Sequence, residues 1–245
     1  MYGLRAPRVV LGMIVAGDVE SVGHRVTSFK PGDRVFGMGA FHFGTYAELV
    51  CWPAGAALAP LPLDFTYVEA AAIPYGGLLA SDFLRRLRVE KGDRILIYGA
   101  SGAIGTSAVQ LARHLGAEVT GVCSTANLEL VRALGASAVL DYTKDDFTRG
   151  SDRYDVIFDA VGKRKSRQAM ANCAAVLAPN GRQMSVDDAS PKLLTSDLVN
   201  LKGLAESGEL RPVIDRCYPL EEIVEAHRDV DQGHKKGNVI VTVAA

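Results

Sequence analysis

Residues 94–112 read Arg94-Ile-Leu-Ile-Tyr-Gly-Ala-Ser-Gly-Ala-Ile-Gly-Thr-Ser-Ala-Val-Gln-Leu-Ala112 and carry the strongest structural signal in this 245-residue chain. An apolar run leads into three glycines spaced three residues apart, and an amphipathic stretch follows. This order predicts a strand, a tight turn and a helix whose first N–H groups hold the diphosphate of a dinucleotide. The predicted diphosphate contacts are Ser101, Gly102, Ala103, Ile104 and Gly105. A turn that merely joins strand to helix is the alternative.

Downstream of this segment, strand-like and helix-like patterns alternate. Helices are predicted over 103–115, 126–134, 166–177 and 198–207, and strands over 118–122, 138–141, 155–158 and 182–186. Alternation of this kind is typical of an α/β fold in which helices cover both faces of a parallel sheet. We therefore expect a Rossmann doubly wound parallel sheet in residues 81–218.

Upstream of the glycine turn, the pattern is one of short strands and turns. Strands are predicted over 9–16, 34–36 and 44–50, and turns at Gly17-Asp18 and at Lys30-Pro31-Gly32-Asp33. A helical period begins at Tyr67. This pattern predicts a small β domain in residues 1–80.

The end of the second predicted strand indicates which dinucleotide binds. Many NAD sites carry an acidic residue there, which contacts the ribose 2′-hydroxyl. This chain has Val122-Cys-Ser-Thr125 instead, so the hydroxyls of Ser124 and Thr125 can accommodate a 2′-phosphate. NADPH is therefore the predicted cofactor, with NADH as the alternative. Tyr142, at the end of the third strand, either lies over the adenosine phosphate or packs in the core.

Composition narrows the partners and the compartment. Lys and Arg total 27 against 28 Asp and Glu, which gives a net charge of −1 and no basic field for nucleic acid or an anionic membrane. A small-molecule substrate is expected. The four cysteines, at 51, 123, 173 and 217, form no motif and suit a reducing cytoplasm.

Several segments together resemble the medium-chain dehydrogenase/reductase superfamily, in its zinc-independent quinone oxidoreductase or zeta-crystallin-like branch. They are Val19-Glu-Ser-Val-Gly23, Phe29-Lys-Pro-Gly-Asp-Arg-Val-Phe-Gly37, Gly44-Thr-Tyr-Ala-Glu48, Glu69-Ala-Ala-Ala-Ile-Pro74, the glycine turn, Phe158-Asp-Ala-Val-Gly162 and Gly233-His-Lys-Lys-Gly-Asn-Val-Ile240. The resemblance implies a GroES-like catalytic domain in residues 1–80, to which 219–245 return through a strand over 238–243. It also implies cofactor contacts at Val161 and Asn238.

The sequence departs from that family at several points. Gly12-Met-Ile14 replaces the Gly-His-Glu of zinc-dependent members, the close cluster of four cysteines is absent, and no histidine has a metal-ligand spacing, so no metal is predicted. Leu79 stands where relatives often carry Thr, and Ala126-Asn127 where they often carry a 2′-phosphate-binding Lys. The GroES-like domain begins part-way through its usual length, which is expected to expose strand edges and to favour a homo-oligomer through that domain.

The reaction that the resemblance implies is hydride transfer from NADPH to a quinone or an α,β-unsaturated carbonyl. Without zinc, hydrogen bonds must stabilise the charge that develops on the substrate oxygen. Tyr75 is the candidate donor, and core packing is its alternative role. Tyr46 is expected to pack in the core, with a position facing the same cleft as its alternative. The competing hypotheses are a non-catalytic, nucleotide-binding relative with a sensor or crystallin-like role and, more remotely, a zinc alcohol dehydrogenase.

Overall fold

The computed structural model describes residues 10–39, 43–53 and 55–243, so Val9 of the predicted first strand lies outside the described residues. The strands are β1 (Ile14–Asp18), β2 (Arg34–Met38), β3 (Ala57–Pro60), β4 (Arg94–Tyr98), β5 (Glu118–Cys123), β6 (Ala138–Asp141), β7 (Tyr154–Asp159), β8 (Leu177–Ser185), β9 (Ile214–Pro219) and β10 (Asn238–Thr242). The helices are α1 (Tyr67–Ala71), α2 (Pro74–Arg86), α3 (Ala103–His114), α4 (Leu128–Ala133), α5 (Lys163–Ser166), α6 (Thr195–Glu206) and α7 (Ile223–Gln232).

The centre of the molecule is a five-stranded parallel sheet in the order β6-β5-β4-β7-β8. Ile95 and Ile97 of β4 face one apolar cluster, and Leu96, between them, faces another. All three side chains are fully buried, because helices and loops cover both faces of the sheet. The predicted α/β fold with a Rossmann doubly wound sheet is confirmed.

The smaller sheet is antiparallel and three-stranded, in the order β1-β2-β3, and agrees with the expected GroES-like β domain. The predicted turn at Gly17-Asp18 is wrong, because both residues lie within β1 and pair with Val35 and Arg34. The segment therefore continues the first strand and turns later, near Gly32.

The predicted strand over 44–50 is also wrong, because this segment is a series of bends. Gly44 has φ +129°, a backbone conformation that a strand does not use. The N–H groups of Gly44 and Tyr46 donate to the carbonyl of Leu11, at 3.2 and 3.0 Å. These long-range bonds hold the segment as a loop against the chain that precedes β1.

The helix predicted over 166–177 is largely absent. Only the short α5 and a 3-10 turn at Cys173–Val176 are helical, and β8 already begins at Leu177. Asn172 precedes the 3-10 turn with φ −111° and ψ 15°, and asparagine is a poor residue for a helix interior. The three exposed basic residues Lys163, Arg164 and Lys165 form the start of α5, where the N–H of Lys163 donates to Asp187.

The last strand lies beside β9 and contacts the end of α1. β10 pairs in parallel with β9, and the predicted strand over 238–243 is confirmed to within one residue. The amide nitrogen of Asn238 donates to the carbonyl of Ala72, just after α1, at 3.0 Å. No helix within the described ranges is both long and apolar enough to span a bilayer.

Candidate cofactor site

The glycine turn between β4 and α3 is shaped by close backbone contacts. Gly99 has φ +79°, which favours glycine, and a Cβ there would lie 2.3 Å from Cγ2 of Val161. A Cβ on Gly105 would lie 2.1 Å from the carbonyl oxygen of Gly99. Neither position has room for a side chain, so strand and helix approach as closely as the glycine pattern predicts.

Gly102 forms the open part of this turn. It is the N-cap of α3, and a Cβ there would meet only the carbonyl oxygen of Gly99, at 3.5 Å. No side chain among the described residues caps the helix. The first N–H groups of α3, from Ala103 to Gly105, therefore remain available at the positive end of the helix dipole. This arrangement fits the diphosphate of a dinucleotide.

Asn127 connects the glycine turn to the end of β5. Its Nδ2 donates to Oγ of Ser101 and to Oγ of Ser124, each at 3.2 Å. Asn127 is buried, while both serines are half-buried. The structure thus brings Ser101 and Ser124 to one edge of the site. The sequence alone predicted no role for Asn127 in the site. The pattern that could have indicated one is the Ser-Thr-Ala-Asn order after a strand, in which the N–H of Asn127 donates to the carbonyl of Ser124 and closes a turn.

Thr125 faces a carboxylate that the sequence did not lead us to expect. Its Oγ1 donates to Asp141, at the end of β6, at 2.5 Å, and Oγ1 of Thr143 donates to the same carboxylate at 2.6 Å. These hydroxyls, with the N–H of Thr143, lower the pKa of Asp141 to about 2. A carboxylate from the neighbouring strand therefore lies beside Thr125 and accepts the only hydroxyl proton of that residue.

Two predicted contact residues line the rim of the site. Tyr142 is half exposed, and its ring lies 6.1 Å from that of Tyr98 in a tilted arrangement. Val161 is 38 % exposed at the end of β7, where its N–H donates to the carboxylate of Asp159. Nearby Cys123 is buried, and burial raises the pKa of its thiol to about 11.

The segment before β10 completes the turn from the opposite side. The N–H of Gly237 donates to the carbonyl of Ser101 at 2.8 Å, and Gly237 forms an isolated parallel bridge with Gly102. Asn238 follows immediately, but its amide nitrogen is engaged by the carbonyls of Ala72 and Val213. The Asn238 side chain therefore holds the segment next to the glycine turn through these carbonyls. Any contact with a cofactor would use its amide oxygen.

Comparison with known proteins identifies the family. The zinc-binding dehydrogenase family matches residues 103–206 and, in a second model, 189–241, and the alcohol dehydrogenase GroES-like domain matches residues 1–63. The mouse "NAD(P)H oxidoreductase RTN4IP1, mitochondrial" is 31 % identical over 96 % of this chain and 70 % of its own length. This chain belongs to the medium-chain dehydrogenase/reductase superfamily.

Two further proteins of the superfamily extend the comparison. "NADPH-dependent alkenal/one oxidoreductase, chloroplastic" of Arabidopsis thaliana is 31 % identical and aligns with 95 % of this chain. This chain spans only 63 % of that relative's length. The solved structure of the quinone oxidoreductase from Coxiella burnetii is 27 % identical, with a TM-score of 0.86, and the match covers 96 % of this chain and 79 % of that one.

The side chains available as metal ligands do not fit the zinc sites of zinc-dependent members of the superfamily. At the position of their Gly-His-Glu, Met13 and Ile14 offer a thioether and an alkyl chain, and Gly12 packs against Thr45 and Tyr46. Among residues 10–39, 43–53 and 55–243, no three His, Cys, Asp or Glu side chains gather as metal ligands. His42 lies outside the described residues.

Tyr75 lies beside the glycine turn. A Cβ on its neighbour Gly76 would meet the carbonyl oxygen of Ala103 at 2.1 Å, so α2 and the start of α3 are in backbone contact there. Tyr75 packs against the main core, burial raises the pKa of its phenol, and its hydroxyl makes no hydrogen bond to the described residues. Tyr46, by contrast, stands in a loop with its ring edge-on to His227 at 6.0 Å, rather than in the expected strand.

Proposed function

We propose that this chain is an NADPH-dependent oxidoreductase that transfers hydride, without zinc, to a quinone or to an α,β-unsaturated ketone or aldehyde. The observation that carries the proposal is the uncapped start of α3 at Gly102, enclosed by Ser101, Val161 and Gly237. The printed names of the plant relative and of the Coxiella structure support this substrate class. We assign cofactor binding to residues 81–218, and substrate contacts to 1–80 with 219–245.

Each group of residues has a separate role in the proposed reaction. The N–H groups from Ala103 to Gly105 hold the diphosphate, and Ser124 receives the 2′-phosphate of NADPH. Val161 presents an apolar surface at the end of β7 for the flat face of a ring. Bound there, the cofactor supplies the hydride, while Tyr75 donates a hydrogen bond to the substrate oxygen on which charge develops. We also propose a cytoplasmic location. The four cysteines are all free, which suits a reducing compartment.

Turnover is the first test. Purified protein is titrated with NADPH and NADH by nicotinamide fluorescence, and loss of NADPH absorbance is then followed with phenanthrenequinone and a set of enones. We expect saturable NADPH binding and turnover that a metal chelator does not change. Loss of activity with the chelator would indicate a zinc enzyme instead.

The non-catalytic alternative has one observation in its favour. Leu79, where relatives often carry Thr, is buried in the main core and offers no polar contact to the carboxamide of a nicotinamide. NADPH binding without turnover on any acceptor would favour this alternative.

A tyrosine pair tests the hydrogen-bond donor. Tyr75→Phe is expected to lower kcat/KM about a hundredfold and to leave the Kd for NADPH unchanged, because only the bond to the developing charge is lost. Tyr46→Phe is the matched control and should retain full activity. If Tyr75→Phe is fully active, Tyr75 is a packing residue.

A further inference from the structure

The amide of Asn127 lies between the two hydroxyls that face the candidate phosphate positions. We propose that Asn127 is a positioning residue that orients Ser101 and Ser124 as hydrogen-bond donors to the cofactor phosphates, and that it thereby sets the preference for NADPH over NADH. This inference rests on the proposed function, and it assigns cofactor selectivity to a residue that does not itself contact the cofactor.

The first step of the argument is the direction of the hydrogen bonds. An asparagine NH₂ group has two protons, and Nδ2 of Asn127 lies 3.2 Å from each serine Oγ. Each hydroxyl therefore accepts a bond from Asn127 and keeps its own proton to donate. Both serines are only half-buried, so each proton remains available to a phosphate oxygen, which only accepts.

The second step is the poor fit of this amide to its surroundings. The Oδ1 atom of Asn127 is buried and has no hydrogen-bond partner among the described residues. A buried acceptor without a partner destabilises the fold, and an apolar side chain of similar size would avoid that loss. The amide at position 127 is thus accounted for by the bonds of its Nδ2, not by a contribution to stability.

The third step is the contrast with the neighbouring hydroxyls. Thr125 and Thr143 both donate to Asp141, so neither can donate to a phosphate. The Asp141 carboxylate also repels a 2′-phosphate at this edge, and Lys144, with its Nζ 3.7 Å away, offsets that charge only in part. A ribose 2′-hydroxyl, by contrast, can donate to Thr125. Binding of the extra phosphate of NADPH therefore depends on the donor orientation of Ser124.

The experiment compares NADPH and NADH affinities in a double-mutant cycle. Asn127→Leu is expected to weaken NADPH binding about tenfold and NADH binding about threefold, since only NADPH uses Ser124 while both cofactors use Ser101. Ser124→Ala should weaken NADPH binding about tenfold and leave NADH unchanged. In the double variant, Asn127→Leu should change the NADPH/NADH ratio no further, because its effect on selectivity acts through Ser124.

A charged variant and a stability measurement separate positioning from structure. Asn127→Asp accepts both serine protons and adds a negative charge, so we expect NADPH binding to fall about a hundredfold. Asn127→Leu should melt at or above the wild-type temperature, because it removes the unpaired Oδ1. A merely structural role would instead lower the melting temperature and weaken both cofactors equally.

Three results would overturn the inference. They are a wild type that prefers NADH, an unchanged NADPH/NADH ratio in Asn127→Leu, and additive effects on that ratio in the double variant. The first also overturns the assignment of NADPH, but hydride transfer to a quinone or enone still stands if turnover with NADH is observed. A wild type that binds neither dinucleotide overturns the proposed function and this inference with it.

Discussion

The parallel and the antiparallel sheet differ in how their strands are covered. The core residues of β4 and β7 are fully buried between two apolar clusters, whereas the residues of β1 are half-buried or exposed. In the antiparallel sheet, β2 and β3 are largely buried, and β1 is the exposed strand. The free energy of unfolding should therefore depend more on side chains of the parallel sheet than on those of β1.

Truncating one strand side chain in each sheet gives the largest expected contrast. Phe158 of β7 is fully buried and stacks on Phe83 with 5.6 Å between ring centroids. Phe158→Ala should lower the free energy of unfolding by about 4 kcal/mol, because it leaves a large cavity. Val15→Ala in half-buried β1 should cost about 1 kcal/mol. Urea unfolding measures the free energy of unfolding of both variants. Equal losses would contradict the greater sensitivity of the parallel sheet.

Adding one methyl group to a glycine in each region should produce effects of opposite sign. Gly105→Ala places a Cβ 2.1 Å from the Gly99 carbonyl oxygen, where only backbone movement relieves the clash, so we expect a loss of about 3 kcal/mol. Gly17→Ala in β1 has no atom within 4 Å and should stabilise the protein by about 0.5 kcal/mol through reduced freedom of the unfolded chain. Melting temperatures provide the measurement. A stable Gly105→Ala variant would show that the turn can adjust.

Acid sensitivity is the smallest effect and compares one carboxylate from each region. Hydrogen bonds from Thr125 and Thr143 lower the pKa of Asp141 from 3.8 to about 2, so its ionised form stabilises the fold above its unfolded pKa. That contribution disappears as the pH falls through the folded pKa. Asp141→Asn should therefore flatten the loss of stability between about pH 5 and about pH 2.

Asp33 is the matched control for this titration. Lys30 lowers the pKa of this carboxylate through a side-chain hydrogen bond, but the pair lies at an exposed turn. Asp33→Asn should change the acid slope less than Asp141→Asn, because solvent screens an exposed pair. Urea midpoints at a series of acidic pH values provide the measurement, and a larger change in Asp33→Asn would argue against the role of the threonine network.

Local sequence patterns predicted the strands and helices around the parallel sheet well, and those of the small β domain poorly. The strand, glycine turn and helix around Gly99 depend on contacts between residues close in sequence, so the local sequence was enough to predict them. The loop at Gly44 depends on hydrogen bonds to Leu11, which no local period reveals. The broken helix before β8 contains good helix formers, and Asn172 is the only local sign of the break that we find.

The candidate site divides in the same way. The backbone positions from Ser101 to Gly105 follow from the motif alone. The role of Asp141 does not, because the acid reaches Thr125 from a neighbouring strand sixteen residues away in sequence. The residues at the tip of β5 give no sign of this carboxylate, and the roles of Tyr75, Val161 and Asn238 stay predictions.

The bridge between Gly102 and Gly237 has a consequence for biosynthesis. The sheet residues that flank the glycine turn emerge from the ribosome well before Gly237, whose N–H supports the carbonyl of Ser101. The central sheet can begin to form while the turn still lacks that support. A nascent chain should therefore complete the proposed dinucleotide site late in synthesis, once the residues around Gly237 have been added.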